Sequence, residues 1–414
     1  LIGLVDCNNF YVSCERVFQP TLQDKAVVVL SNNDGCVVAR SNEAKELGIK
    51  MGEPFFKVKH YVDSGLLQVR SGNLALYGDM SHRVMTVIRR FIPNIEVYSI
   101  DECFIDLSDV EHPDQLCRTI VKTVRKWTGI PISIGIAPTK TLAKVASKFA
   151  KRYPAYKGCA VIDTEERRIK ALKLFPIGDV WGIGRRNLPK LLAAGVKTAY
   201  DITQWNENKV RAILALPGVK MWHELCGIPT IPIAPCSAKQ SITTSRSFKA
   251  VITDFETLRS LVSDFASRCA EKLRKQHSTA AEITVYICTD RFRTDLPQYA
   301  NSATYHFTTS TDDVRQLAAA CTNCLRAIFR PGVGIKKAGV MVTHLEHGSH
   351  QGNLFDTTDR TKQRQLLHAI DEIKKREGTH AIRVASQTDI SQSVHRNFSS
   401  RYYTTRLSDI IEVK

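Results

Sequence analysis

Tyr98-Ser99-Ile100-Asp101-Glu102-Cys103-Phe104-Ile105-Asp106-Leu107 sets two adjacent carboxylates inside a segment that otherwise reads as a buried strand. Neighbouring side chains on a strand point to opposite faces, so the pair is expected at a hairpin tip, where both acids can converge on one ion. A second run, Ile2-Gly3-Leu4-Val5-Asp6, also leads apolar residues straight into an acid. Three carboxylates on two central strands make a seat for two Mg2+, the arrangement used for in-line phosphoryl displacement. A strand-terminal acid taken alone is more often a solvated strand end. The segments that follow the strands decide between the two.

At 414 residues the chain is too long for one ordinary core and suggests several domains. A formal charge of +17 and a pI near 9.4 favour a polyanionic partner. Nucleic acid comes first, because Lys and Arg that neutralise phosphates release counterions and bind without regard to sequence. A basic protein with no such partner is the plainer alternative. The twelve cysteines are scattered singly through apolar stretches, as expected of reduced thiols in a cytoplasmic protein. Cys321 and Cys324 form the one Cys-x-x-Cys, with no second pair at zinc spacing, and are expected to pack in a helix. The sequence holds no signal peptide and no apolar run of membrane length, so no membrane partner is expected.

Short apolar strands alternate with helical periodicity through about residue 165, an α/β pattern. Between Pro20 and Tyr77 lies a small insertion with the strand Ala26-Val27-Val28-Val29-Leu30. From about 166 to 235 the pattern turns helical, and a linker from Ile231 to Lys239 follows. Beyond it, an opening strand Ser241 to Phe248, helical apolar spacing from Phe255 and again from Val314, and strands around Ile283, Ala303 and Val340 give the order β-α-β-β-α-β. The polar tail past His347 carries one amphipathic helix, about Thr361 to Glu377, ended by Gly378.

Asp6 is followed by Cys7-Asn8-Asn9-Phe10-Tyr11-Val12-Ser13-Cys14-Glu15. The acidic pair is followed by Ile132-Ser133-Ile134-Gly135-Ile136-Ala137-Pro138-Thr139-Lys140-Thr141-Leu142-Ala143-Lys144. In that order and spacing these segments resemble the catalytic palm of Y-family DNA polymerases, the translesion class. Ser31-Asn32-Asn33-Asp34-Gly35-Cys36 and Ser400-Arg401-Tyr402-Tyr403-Thr404-Thr405-Arg406 are similar to the UmuC branch, the catalytic subunit of bacterial DNA polymerase V. The resemblance implies an α/β and α+β multidomain fold. Its parts are a palm at 1–19 and 78–165, small fingers at 20–77, and a helical thumb with a helix-hairpin-helix at 166–235. A βαββαβ little finger at 240–346 and a tail at 347–414 complete it.

The same resemblance assigns the chemistry. Asp6 and Asp101 bridge two Mg2+ (Mn2+ can substitute), Glu102 completes the catalytic ion's shell, and the Cys7 carbonyl assists the nucleotide-bound ion. Asn8 stands where the family often has Asp, at a position that is not a ligand. Tyr11 is the steric gate against the ribose 2′-hydroxyl, with Phe10 beside it in the nucleotide site, although adjacent aromatics at a strand end are commonly core. Arg40 and Lys45 in the fingers and Lys151 in the palm face the incoming dNTP. Asn42 and Lys45 replace the Tyr and Arg of many relatives, and Lys45 can still donate to phosphate as a point charge.

Lys140, Lys144, Lys148 and Lys151 fall at spacings of 4, 4 and 3, along one helix face. Like charges at that spacing cost a helix a few tenths of a kcal/mol per pair, so a primer-template phosphate partner for the first three is expected. Gly182, Gly184 and Arg185 in Val180-Trp181-Gly182-Ile183-Gly184-Arg185-Arg186 resemble a helix-hairpin-helix turn that grips DNA backbone. Gly218 marks a weaker second copy, and Arg246 is a further DNA contact in the opening strand of the little finger. Gln351, Leu354 and Phe355 resemble the sliding-clamp-binding pentapeptide, with Gly352 departing from the usual Leu. The rest of the tail is expected to hold a UmuD′-type accessory dimer and to meet a RecA filament in the SOS response. Three rival readings are a single-subunit DinB-type polymerase, a two-metal nucleotide cyclase, and a non-catalytic DNA-binding scaffold.

Overall fold

The computed structural model describes residues 1–234, 238–347, 359–378, 381–387 and 396–411. Gln351, Leu354 and Phe355 lie outside the described residues. The chain divides into two units, 1–236 with 395–414, and 237–394.

In the first unit, β1 (Ile2–Cys7) runs straight into the helix Phe10–Phe18. The turn between them places Asn9 in the left-handed region at φ 47°, which a short polar side chain tolerates. Three strands follow, β2 (Val27–Leu30), β3 (Val37–Arg40) and β4 (Gln68–Ser71), and form a small sheet of order β3-β2-β4. The chain then returns through the helix Leu74–Arg89 to β5 (Ile95–Val97), β6 (Glu102–Asp106), β7 (Ile132–Ala137) and β8 (Cys159–Val161). With β1 these make a five-stranded sheet of order β5-β6-β1-β7-β8. β1 is central because Leu4 and Val5 both need cover, and each is 1% exposed between helices on the two faces. The helix Lys140–Arg152 closes one face so tightly that a Cβ on Gly135 would lie 2.1 Å from the Ser147 nitrogen. Short helices between 165 and 225 complete this unit, with a break at Ala215 (φ 56°) inside the stretch Glu207–Leu225.

The second unit holds the expected β-α-β-β-α-β order. β9 (Ile242–Ile252), β10 (Ser278–Cys288), β11 (Ala300–Thr311) and β12 (Ile335–His347) form an antiparallel sheet of order β11-β10-β12-β9. The helices Phe255–Lys275 and Val314–Ile328 cover one face. The tail helix spans Arg360–Glu377 and ends at Gly378 with φ 97°. It docks on this layer through buried Leu367 and a two-bonded pair of Arg274 with Asp371 at 2.6 and 2.7 Å. Cys321 and Cys324 are both buried in the helical layer, as expected of packing residues.

Candidate active site

The acids meet because of register. On β1, Asp6 is the cross-strand partner of Glu102 on β6 and of Ser133 on β7. Asp101 lies in the turn before β6, where its carbonyl accepts the Cys7 N–H at 2.8 Å and its carboxylate accepts the Ser99 hydroxyl at 2.5 Å. Asp6 is pushed up to about 6, chiefly by burial and also by the charges of Glu102 and Asp101, against the opposing pull of Lys151. The three acids therefore feel one another in a partly dry setting. Among the described residues no three His, Cys, Asp or Glu side chains stand in a metal-holding group. Lys151 Nζ pairs with Asp6 instead, and Lys144 Nζ pairs with Glu102 at 2.9 Å. This donor set fits a hard divalent cation: it is all oxygen, mutually repelling, and paired with ammonium groups on long, movable stems.

Beside the acids lies a cavity of about 540 Å³, walled in part by Asn9, Asn42, Lys45, Lys148, Lys151 and Arg152. Lys45 Nζ donates to Asn9 at 2.8 Å and to Asn42 at 3.1 Å. Burial lowers its pKa, and the charges of Arg40 and Lys151 lower it further, so three cations crowd one space. Arg40 spends one Nη1 donor on the Ile49 carbonyl. Tyr11 is half-buried, its ring stacked 4.4 Å from that of Tyr77, and its phenol is pushed up by burial and by the charge of Asp101. Phe10 requires a correction. It is 3% exposed within the palm core, so it packs beneath the site and does not line it.

The lysine stripe also divides. Lys140 is 2% exposed, bonded to Glu96 at 2.5 Å and set over the Phe104 ring, so the expected phosphate contact is corrected to an internal ion pair. Lys144 is turned to Glu102 and boxed by Tyr98, Phe104 and Trp181, which corrects its DNA role too. Lys148 and Lys151 keep 50% and 33% of their side chains exposed, and so remain within reach of a ligand.

Gly182 (φ 95°), Gly184 and Arg185 are exposed, with open space around both glycines. Gly218 is buried, and a Cβ there would come 2.1 Å from that of Leu214. Its missing side chain serves close packing, which corrects the second hairpin copy. Arg246 is corrected as well: its guanidinium lies over the Phe265 ring at 6.0 Å, on the helical side of its sheet.

Sequence reasoning missed several contacts. Trp181 of the hairpin donates from Nε1 to the Tyr98 hydroxyl at 3.2 Å, tying it to the acidic turn. Glu224 is fully buried and accepts backbone N–H groups of Thr141, Thr230 and Ile231 at 3.0, 2.8 and 3.0 Å. No local pattern marks either one.

A palm with carboxylates on adjacent central strands, a small fingers sheet, a helical segment and a βαββαβ unit together have the architecture of Y-family DNA polymerases. A chimeric Y-family DNA polymerase superposes with a TM-score of 0.69 at 21% identity, over 84% of this chain and 99% of that one. DinB from Sulfolobus solfataricus gives 0.55 at 22% identity with the same coverage. Family models described as the impB/mucB/samB family and its C-terminal domain match residues 5–148 and 239–354, and a domain of unknown function matches 364–413. Protein UmuC of Salmonella typhimurium is 40% identical over 422 aligned residues, covering 100% of both chains. Protein ImpB of Salmonella typhimurium is 39% identical over 99% of each chain, and DNA polymerase IV of Desulfatibacillum aliphaticivorans is 26% identical over 95% of this chain and 98% of that one. The chain belongs to the impB/mucB/samB family. Its activity is DNA-directed, error-prone translesion DNA synthesis, as the catalytic subunit of a DNA polymerase V-like complex in SOS mutagenesis. DNA and dNTPs are its substrates, and its nucleotidyl transfer is metal-dependent. No described helix is long and apolar enough to cross a membrane.

Proposed function

We propose that Asp6, Asp101 and Glu102, with the Cys7 carbonyl, hold two Mg2+ or Mn2+ at the primer end, and that Lys45, Lys151 and Arg40 receive the triphosphate. The observation that carries this is the Asp6–Glu102 register beside a cavity walled by Lys45, Lys148, Lys151 and Arg152, with the charge of Arg40 close to Lys45. When bound, the ions lower the pKa of the primer 3′-hydroxyl and neutralise charge on the triphosphate and pyrophosphate. The protein's own part is positioning. Lys151 and Lys144 hold Asp6 and Glu102 until substrate arrives, and on its arrival Lys151 turns to the phosphates. Lys45, held by Asn9 and Asn42, donates to them from the fingers side. Tyr11 stands where a ribose 2′-hydroxyl would collide with its ring. Lys148, Gly182, Gly184 and Arg185 offer exposed charge and open backbone to the DNA phosphates, without reading bases.

A sliding clamp at Gln351, Leu354 and Phe355, a UmuD′-type accessory dimer and a RecA filament complete the assembly, in the cytoplasm. Full-length similarity to UmuC at 40% against 26% for DNA polymerase IV favours this over the single-subunit reading. The test is primer extension across an abasic site by the purified chain with Mg2+ and dNTPs, adding the accessory dimer and RecA filament in turn. Synthesis that depends on both additions is expected. Full synthesis by the chain alone would favour the single-subunit reading.

A further inference from the structure

Residues 396–411 lie in the unit that holds the active site, far from it in sequence. The Asn397 N–H donates to Asp34 at 2.8 Å. Phe398 and Ser71 exchange two bonds, Ser71 N–H to the Phe398 carbonyl at 3.0 Å and Phe398 N–H to Ser71 Oγ at 3.1 Å. The Phe398 ring meets Phe55 edge-on at 5.6 Å within the fingers core. Five residues on, Tyr403 stacks on Phe18 at 4.9 Å and its hydroxyl accepts a bond from Gln19 at 3.1 Å.

Between these anchors, Ser400 Oγ donates to Glu15 Oε1 at 3.0 Å and accepts from Asn73 Nδ2 at 3.0 Å. Glu15 is fully buried, and its Oε1 also accepts the Tyr77 hydroxyl at 2.7 Å. Among the described residues its second oxygen has no hydrogen-bond partner, so Tyr77 and Ser400, with the charge of Arg70, stabilise the buried acid. Tyr77 is 0% exposed and its ring stacks on Tyr11 at 16°. The contacts thus run without a gap from the C-terminal segment through Ser400, Glu15 and Tyr77 to the back of Tyr11.

We propose that the C-terminal segment is a positioning element for sugar selection: Ser400 fixes Glu15, Glu15 fixes the Tyr77 ring through its hydroxyl, and that ring sets how far Tyr11 can recede from an incoming 2′-hydroxyl. This rests on the assignment of Tyr11 as the gate. A clash discriminates only while the clashing group cannot yield, and Tyr77 is the surface behind it. The region so assigned falls in the domain of unknown function at 364–413.

The test is single-nucleotide incorporation by the full-length chain, in its active assembly, with dNTP and rNTP in parallel. Ser400→Ala and Tyr77→Phe should each lower the dNTP-to-rNTP ratio of kcat/KM by about fivefold, the weight of one net hydrogen bond. The change should come from a faster rNTP reaction, with kcat/KM for dNTP unchanged. Tyr77→Phe keeps the ring and the fold, and decides the matter if Ser400→Ala does not fold. A purely structural anchor would lower the melting temperature and both kcat/KM values together. An unchanged ratio in Tyr77→Phe, with Tyr11→Ala collapsing it, would overturn the proposal and leave the gate intact. An unchanged ratio in Tyr11→Ala would overturn the gate and this proposal together.

Discussion

Lys151→Met removes one ammonium and keeps the aliphatic stem, so it isolates the charge that the site directs at the triphosphate. Nζ pairs with Asp6, and the side chain is 33% exposed on the wall of the cavity that also holds Lys45. A charge-assisted hydrogen bond contributes about 1.5–3 kcal/mol. Partial exposure and the loss of the Asp6 pair on substrate binding place Lys151 at the lower end, about 1.5 kcal/mol, which is about tenfold. The assay is primer extension over a dNTP titration, with DNA affinity measured separately. KM for dNTP should rise about tenfold, DNA affinity should hold, and Lys151→Arg should recover most of the loss. An unchanged KM, or a loss that falls on DNA affinity alone, would refute the assignment.

Asp101→Asn should abolish incorporation while leaving primer-template binding, read by extension and by fluorescence anisotropy on one preparation. Chelation with EDTA should stop synthesis, and either Mg2+ or Mn2+ should restore it. Lys140→Met should cost about 2 kcal/mol of stability, because it leaves the partly buried Glu96 without its charge partner, and the Ala234 N–H that the carboxylate also accepts does not make up for the lost charge. The slope of DNA affinity against salt should not move, whereas Lys148→Met should reduce it. Glu224→Ala should lower stability by about 3 kcal/mol in a denaturant titration, about one for each of three backbone N–H groups left without an acceptor. Leu354→Ala with Phe355→Ala should remove clamp-stimulated synthesis and spare the basal rate.

The parts of the fold that were legible in sequence are those written in periodicity. An apolar run leading into Asp6 announced β1, an acidic pair set in a strand-like segment announced β6, and hydrogen-bond register then made Asp6 and Glu102 neighbours. The βαββαβ order was legible for the same reason, since each strand and helix carries its own apolar face. The lysine stripe was misread because spacing says which side chains share a face and not what stands opposite. Glu96 and Glu102, from other strands, take up the first two lysines. Gly218 misled for a related cause: a glycine after a proline looks like a turn, while the turn lies earlier, at Ala215, and Gly218 makes room for Leu214. Phe10 and Tyr11 are consecutive on one helix, yet Phe10 is buried in the core and Tyr11 is half-buried against Tyr77, a division set by the helix's orientation on the sheet. The chain of contacts behind Tyr11 had no local signal, because Glu15 and Ser400 are 385 residues apart.

The central claim is that Asp6, Asp101 and Glu102 gather divalent ions beside a primer end, with Asp6 and Glu102 turning from their lysine partners to do so. A structure of the chain with primer-template, a non-hydrolysable dNTP and Mn2+, with the metals located by anomalous scattering, tests it directly. Two peaks about 3.5–4 Å apart, bridged by Asp6 and Asp101, with Lys151 moved onto the phosphates, are the expected result. Ions bound away from these acids, with Lys151 still on Asp6 and the nucleotide in place, would contradict it.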